Sequence, residues 1–179
     1  MEILAETTAT AVINSGIQRI NLAEWLFSLS DADYQACSTQ HIAAGATLSP
    51  EGKRMSINVE RIGENLLVQH YVEEVSTPEH CRVKSVSDSI SPLGAVKMGV
   101  TWELSVKPID ENSCSFKNHV TVHSTAELLA ALNKAGLTDM SAVKAGMLKN
   151  ATDHNNEETP LFALDIERKA NAGIWVYKR

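Results

Sequence analysis

The sequence predicts an α+β domain in which a curved antiparallel sheet packs against a long C-terminal helix. Three observations lead to this prediction. Apolar residues recur at every second position in several segments between residues 55 and 122, which is the period of a strand. Short turns separate these segments, so that each strand can pair with the next in antiparallel order. From Thr125 onward the apolar spacing becomes helical, and a sheet with one apolar face needs such a covering layer.

The N-terminal part of the chain is predicted to form one strand and two short helices. Residues 8–14 suit a strand. Residues 20–37 carry apolar residues at helical spacing, and Asn21 can cap this helix by accepting a hydrogen bond from the backbone. Glu24 follows Asn21 by three residues, so the pair forms a partial capping box. A break at Ser30-Asp31 predicts a second short helix over residues 31–40.

A meander of about five antiparallel strands is predicted to follow a loop over residues 43–52, which is rich in Gly and Pro. The first strand has apolar residues at alternate positions, namely Met55, Ile57 and Val59. The second has an apolar row that is expected to face the interior, namely Leu66, Val68, His70 and Val72. The third, over residues 81–90, is more polar.

Residues 96–107 carry the strongest strand signal in the chain. Six apolar residues alternate with polar ones and predict a half-buried strand: Val96, Met98, Val100, Trp102, Leu104 and Val106. After a turn over residues 108–113, a last strand places these residues on one face: Cys114, Phe116, Asn118, Val120 and Val122.

The C-terminal third is predicted to be helical. Ser124 and Glu127 form a capping box at its start, and Gly136 ends the first helix. Thr159-Pro160 fits either the start of a new helix, with Pro at its first position, or a kink within one long helix. The remaining segments are two helical stretches and a short final strand, at residues 138–154, 155–170 and 173–179.

Composition and charge favour one soluble domain covering residues 1–179. The net charge of −6 argues against nucleic acid and anionic membrane surfaces as partners. No segment has the roughly 20 apolar residues of a membrane helix, and the N-terminus lacks the pattern of a signal peptide. The three cysteines are far apart and are expected to be free thiols. We therefore expect a cytoplasmic protein.

The order of these elements resembles the helix-grip fold of the START-like or SRPBCC superfamily. LAEWLFSLSDADYQ (22–35) is similar to the family's Trp-containing first helix and its Asp-containing break, and MGVTWELSVKPIDENSCSFKNHVTV (98–122) is similar to its penultimate hairpin. The resemblance covers most of residues 8–170. It implies a hydrophobic pocket between the sheet and the C-terminal helix, because members bind lipids, sterols, polyketides or other apolar molecules there. We expect no metal or redox cofactor.

Two polar residues in apolar rows are candidates for the site. His70 is either a core histidine with a hydrogen-bond partner or a polar contact that orients a ligand or acts as a weak general base. Asn118 is either an amide bonded across the sheet or a second ligand contact. The remaining candidates for ligand binding are expected to line the pocket: Val100, Trp102, Phe116, Phe162 and Ile166.

The histidines and acidic residues do not predict a metal site. His119 and His123 lie four residues apart on a strand, about 13 Å from each other, which is too far for one zinc ion. The other histidines form no coherent ligand set in the sequence, namely His41, His80 and His154. The acidic cluster near the C-terminal helix is interpreted as a solvated face or a cap region: Asp153, Glu157 and Glu158.

Three functions remain open at this point. The first is binding of a hydrophobic small molecule, driven by burial of apolar ligand surface. The second is a polyketide cyclase-like or dehydratase-like enzyme in which His70 moves protons. The third is a non-catalytic interaction module with a filled core, which is compatible with a homodimer.

Overall fold

The computed structural model describes residues 1–92 and 94–175, which form one antiparallel sheet and four α-helices. The strands are β1 (Ile3–Ile13), β2 (His41–Leu48), β3 (Arg54–Ile62), β4 (Asn65–Ser76), β5 (His80–Ser91), β6 (Gly94–Pro108) and β7 (Cys114–His123). The helices are α1 (Leu22–Phe27), α2 (Asp31–Gln35), α3 (Ala126–Lys134) and α4 (Met140–Asn171). The spatial order of the strands is β1-β7-β6-β5-β4-β3-β2.

Helix α4 lies against the inner face of this curved sheet, and the predicted helix grip is confirmed. It is one continuous helix of 32 residues with Pro160 in its interior, so no new helix begins at Thr159. Asp139 caps its N-terminus by accepting hydrogen bonds from the backbone N–H groups of Ser141 and Ala142. Of the predicted final strand, residues 173–175 form a turn and residues 176–179 lie outside the described residues.

Several predicted boundaries need correction. Residues 43–52 are not a loop, because most of them belong to the edge strand β2. The N-cap of α3 is Thr125, whose hydroxyl accepts a hydrogen bond from the Leu128 N–H. The Ser124 hydroxyl instead accepts from the Glu2 N–H. The N-cap at Asn21 is confirmed, since its side chain accepts from the Glu24 N–H.

The predicted inner face is correct for β6 and β7 and wrong for β4. The alternating residues from Val96 to Val106 are buried, and so are Phe116 and Asn118. In β4, however, the row containing His70 is only half-buried, while the alternate residues are buried, namely Leu67, Gln69 and Tyr71. The same inversion holds in β3, whose buried residues are polar: Ser56, Asn58 and Glu60. Alternation gives the period of a strand but not which of its two rows faces inward.

Aromatic side chains fill the half of the interior near α1. Trp25 is fully buried and packs edge-on against Phe162, with ring centroids 5.0 Å apart. Its indole N–H donates a hydrogen bond of 2.8 Å to Asp165, so the polar atom of this buried ring is satisfied. Trp102 lies 6.5 Å from Trp25 and 5.8 Å from Phe162. This cluster joins α1, β6 and α4.

An ion-pair network ties α2 to the C-terminal end of α4. Asp33 lies 3.0 Å from both the Lys169 amine and the Arg168 guanidinium. Burial opposes ionisation of Asp33, but hydrogen bonds from Lys169 and Ser30 outweigh it and lower the pKa of this carboxyl.

Within the described part of the chain, no helix is both long and apolar enough to cross a membrane.

Asp33→Asn should therefore reduce stability only where the carboxylate is ionised. A carboxyl with a lowered folded-state pKa contributes stability that is fully present above its unfolded value of about 3.9 and is lost as pH falls through the folded-state value. Urea unfolding of wild type and Asp33→Asn across the acid range should show a difference near neutral pH that shrinks in acid. A difference that grows toward low pH would contradict this role of Asp33.

Candidate functional site

A cavity of about 150 Å³ lies between the sheet, α3 and the N-terminal half of α4. Its walls are mostly apolar, and among the residues that line it are Leu67, Met98, Val100, Trp102, Leu128 and Leu132. Its lining extends from buried residues to the half-buried Asn65 at the β3–β4 turn and the exposed Asn150 on α4. Helix α3 and the N-terminal half of α4 thus form the roof of this cavity.

Four buried side chains converge at the inner end of the cavity: His41, Glu60, His154 and Glu158. Three of them line it, and His41 lies directly behind. The Nε2 atom of His154 is 3.2 Å from Glu60 Oε2 and 3.3 Å from Glu158 Oε2. The Nε2 atom of His41 is 3.2 Å from Glu158 Oε2 and 3.7 Å from Glu60 Oε2. We call this group the His–Glu cluster.

The fold brings the His–Glu cluster together from three elements. His41 and Glu60 are direct cross-strand partners in the β2–β3 pair, where a register shift follows His41. Neighbours opposite each other in an antiparallel pair lie close on the same face. His154 and Glu158 lie four residues apart in α4, so they occupy adjacent turns on one side of the helix. Packing of α4 on the inner face of the sheet then joins the two pairs.

A second layer of hydrogen bonds fixes the two carboxylates and one imidazole. The Tyr34 hydroxyl donates to Glu60 Oε2 at 2.8 Å, and the Tyr34 ring stacks on the His41 ring with centroids 3.6 Å apart. The backbone carbonyl of Tyr34 lies 2.7 Å from His41 Nδ1. The Asn118 amide donates to Glu158 Oε1 at 3.0 Å, and Trp102 Nε1–H donates to Asn118 Oδ1 at 2.7 Å. These contacts orient both carboxylates and the His41 imidazole.

The charged forms of His154 and Glu158 are favoured although both side chains are buried. Burial disfavours the imidazolium of His154, but Glu158 and Glu60 outweigh it and raise the pKa of His154 to about 11. Burial likewise disfavours the carboxylate of Glu158, but His154 and His41 lower its pKa to about 2. Burial, together with Glu60 and Glu158, raises the pKa of the Tyr34 phenol well above its ordinary value. The inner end of the cavity is therefore strongly polar.

Comparison with known proteins supports the fold. A protein from Thermus thermophilus superposes with a TM-score of 0.50 at 13% identity, covering 93% of this chain and 97% of that one. A START superfamily protein from Mycobacterium smegmatis gives 0.42 at 11% identity, covering 82% and 99%. The Zhui aromatase/cyclase from Streptomyces sp. R1128 gives 0.46 at 8% identity, covering 79% and 92%. No family model and no curated protein sequence matches this chain.

The fold is a helix grip, in which one antiparallel sheet packs against the long helix α4. At these sequence identities the likeness concerns the fold alone. The function of this helix-grip domain must therefore be inferred from the residues of its own cavity.

The structure separates the predicted site residues into groups. Val100 and Trp102 line the cavity. Asn118 is fully buried behind it and links Trp102 to Glu158 through its amide. The remaining aromatic and aliphatic candidates are fully buried in the packed core and are not among the lining residues, namely Phe116, Phe162 and Ile166.

His70 lies in the outward-facing row of β4, so its expected position in the interior is wrong. Its neighbours Gln69 and Tyr71 line the cavity instead. The physical reason is that the interior at β3 and β4 is partly polar, whereas Val and Ile occupy the outer row. β-branched residues suit a pleated strand on either face.

Sequence reasoning missed the His–Glu cluster. The interpretation of Glu158 as part of a solvated face is wrong, because this residue is 5% exposed. His41 and His154 do share a site, whereas His80 is elsewhere, paired with Glu103 at 2.7 Å. The spacing of His154 and Glu158 was a usable signal, since residues at i and i+4 share a helix face.

Proposed function

We propose that this START-like domain binds a compact apolar molecule that carries one uncharged polar group. One observation carries the proposal: an apolar cavity ends in a buried, polar His–Glu cluster. Ligand sites are typically apolar spaces with a few polar groups that fix orientation. A volume of about 150 Å³ favours a molecule of one or two rings over a long lipid chain.

The charge of the cluster favours a neutral polar group on the ligand. Two carboxylates, Glu60 and Glu158, already share this end of the cavity, so a third carboxylate would meet like charges in a poorly hydrated space. A hydroxyl or carbonyl avoids this repulsion. Such a group can exchange hydrogen bonds with the Tyr34 hydroxyl or with His154, both of which line the cavity.

The alternative of a cyclase-like enzyme loses the residue on which it depended. His70, the expected proton carrier, lies on the outer face of the sheet. The alternative of an interaction module with a filled core required an interior without a cavity, and the cavity argues against it. Binding is thus the function that the geometry supports best.

Ala151→Trp tests the proposal, because Ala151 lines the cavity from α4 and an indole there would occupy the ligand space. We expect wild type to bind 2-naphthol, measured by its fluorescence, and Ala151→Trp to lose this binding by at least about tenfold. Native mass spectrometry of freshly purified protein should also detect a co-purifying small molecule in wild type and not in Ala151→Trp.

Ala145→Trp is the matched control, since Ala145 is exposed on the same helix and does not line the cavity. It should bind 2-naphthol as wild type does. On chelator-treated protein, 2-naphthoate should bind more weakly than 2-naphthol, because Glu60 and Glu158 repel the carboxylate of the ligand. Equal binding of 2-naphthol by both tryptophan variants, or no binding by folded wild type, would refute the proposal.

A further inference from the structure

The His–Glu cluster has the composition and geometry of a metal site. We propose that His41, Glu60, His154 and Glu158 bind one divalent transition-metal ion, with zinc as the reference case. Each residue offers one donor atom, and these four atoms all lie within 4.8 Å of one another. All four residues are buried. The inference goes beyond the proposed binding of an apolar ligand and does not depend on it.

Four of the six distances between the donor atoms are close to those of a tetrahedral zinc site, and the other two do not exceed 4.8 Å. Bonds of about 2.0–2.1 Å from zinc to nitrogen or oxygen place tetrahedral donors about 3.3–3.4 Å apart. The four His–Glu distances in the cluster are 3.2, 3.2, 3.3 and 3.7 Å. An ion bound here would take the place of the proton that pairs His154 Nε2 with the two carboxylates.

The hydrogen bonds of His41 allow either a proton or a metal ion between its Nε2 atom and Glu158. A backbone carbonyl can only accept, so its contact with Tyr34 O places a hydrogen on His41 Nδ1. In the neutral ring, Nε2 then carries a lone pair, which faces the oxygen of Glu158 at 3.2 Å. Two lone pairs at this distance require a positive charge between them, and either a proton or a metal ion supplies it.

The surroundings of the cluster provide the outer shell that metal ligands use. Ligating histidines usually donate their second ring N–H to a carbonyl or carboxylate, and ligating carboxylates accept further hydrogen bonds. His41 has its carbonyl partner in Tyr34, Glu60 accepts from the Tyr34 hydroxyl, and Glu158 accepts from Asn118. These partners fix three of the four ligands independently of any ion.

The donor set selects the class of metal. Two imidazoles and two carboxylates suit zinc and neighbouring first-row ions, whereas magnesium and calcium prefer sites made of oxygen alone. Glu60, His154 and Glu158 also line the cavity. The ion would therefore lie where a polar group of a cavity ligand could reach it.

Cobalt(II) is the probe for the first experiment, because a four-coordinate site gives it a strong visible absorption that the aqueous ion lacks. Untagged protein is stripped with a chelator and then titrated with Co²⁺. We expect one equivalent to bind with the tetrahedral spectrum and Zn²⁺ to displace it. Folded wild type that shows no site-specific spectrum and takes up no Zn²⁺ in competition with a chromogenic chelator would overturn the proposal.

Variants locate the site and separate it from surface binding. His154→Asn and Glu158→Gln should abolish the cobalt spectrum. His80→Asn and Glu103→Gln should leave it unchanged, since they alter a half-exposed His–Glu pair on β5 and β6. Retention of the spectrum in the first two variants would overturn the assignment.

Tyr34→Phe keeps the proposal testable if the ligand variants fail to fold, as judged by circular dichroism. This change removes only the hydroxyl that donates to Glu60. Loss of such an outer-shell partner typically weakens metal affinity by about 10–100-fold. An affinity equal to that of wild type would count against the site. Because binding of 2-naphthol is measured separately on chelated protein, either proposal can fail while the other stands.

Discussion

Glu158→Leu is expected to lower the free energy of unfolding by about 3–5 kcal/mol, the cost of removing one partner of a buried ion pair. In wild type the carboxylate of Glu158 faces both His154 and His41 at 3.2–3.3 Å inside the protein. Without it, a buried imidazolium loses its main counter-charge, and the Asn118 amide loses an acceptor. Urea unfolding in the presence of a chelator, followed by circular dichroism, measures the loss without any contribution from bound metal.

Two further variants show whether this cost comes from the unpaired charge. Asp153→Leu removes an exposed carboxylate of the same helix that pairs only with Lys149 among the described residues, so it should change stability by at most about 0.5 kcal/mol. The double variant Glu158→Leu/His154→Leu should recover much of the loss, because replacing both partners of a buried pair by apolar residues is often neutral. A cost below about 1 kcal/mol for Glu158→Leu would show that the cluster is not a coupled buried pair.

The sheet was predictable where burial and hydrophobicity coincide. Residues 96–107 alternate cleanly because the inner row of β6 consists of aliphatic and aromatic side chains, and this row is buried as predicted. In β3 the inner row is Ser56, Asn58 and Glu60, so hydrophobic alternation pointed to the wrong face. Strand β2 has a Gly and several Ala residues at the sheet edge, and local composition made it resemble a loop.

The candidate site was predictable only within one helix. His154 and Glu158 are four residues apart, so a helix over this segment places them on the same face. Their partners come from 94 to 117 residues away, through the β2–β3 register and the docking of α4. Neither contact leaves a local pattern in the sequence. Asn118 was partly predictable. Its position in an apolar row indicated a buried amide, but the sequence did not indicate that its partner is Glu158.

The second large effect is expected at Phe162, a predicted cavity residue that the structure places in the packed core. Phe162→Ala should lower the free energy of unfolding by about 3–5 kcal/mol, since truncating a buried aromatic ring loses its transfer free energy and leaves a void. The ring is fully buried between Trp25 and Trp102, at centroid distances of 5.0 and 5.8 Å. These rigid neighbours can close the space only in part, which keeps the expected cost high.

Leu164→Ala is the control for this change, because Leu164 lies two residues further along α4 and is 58% exposed. Its effect should stay within about 0.5 kcal/mol. Phe162→Leu should fall between wild type and Phe162→Ala, since the smaller side chain keeps part of the buried area. If Phe162→Ala costs less than about 1 kcal/mol and weakens binding of 2-naphthol instead, then Phe162 is a cavity wall, as the sequence predicted. A large loss of stability instead places Phe162 in the core that packs α4 against the sheet. This packing keeps His154 and Glu158 of α4 facing Glu60 of β3.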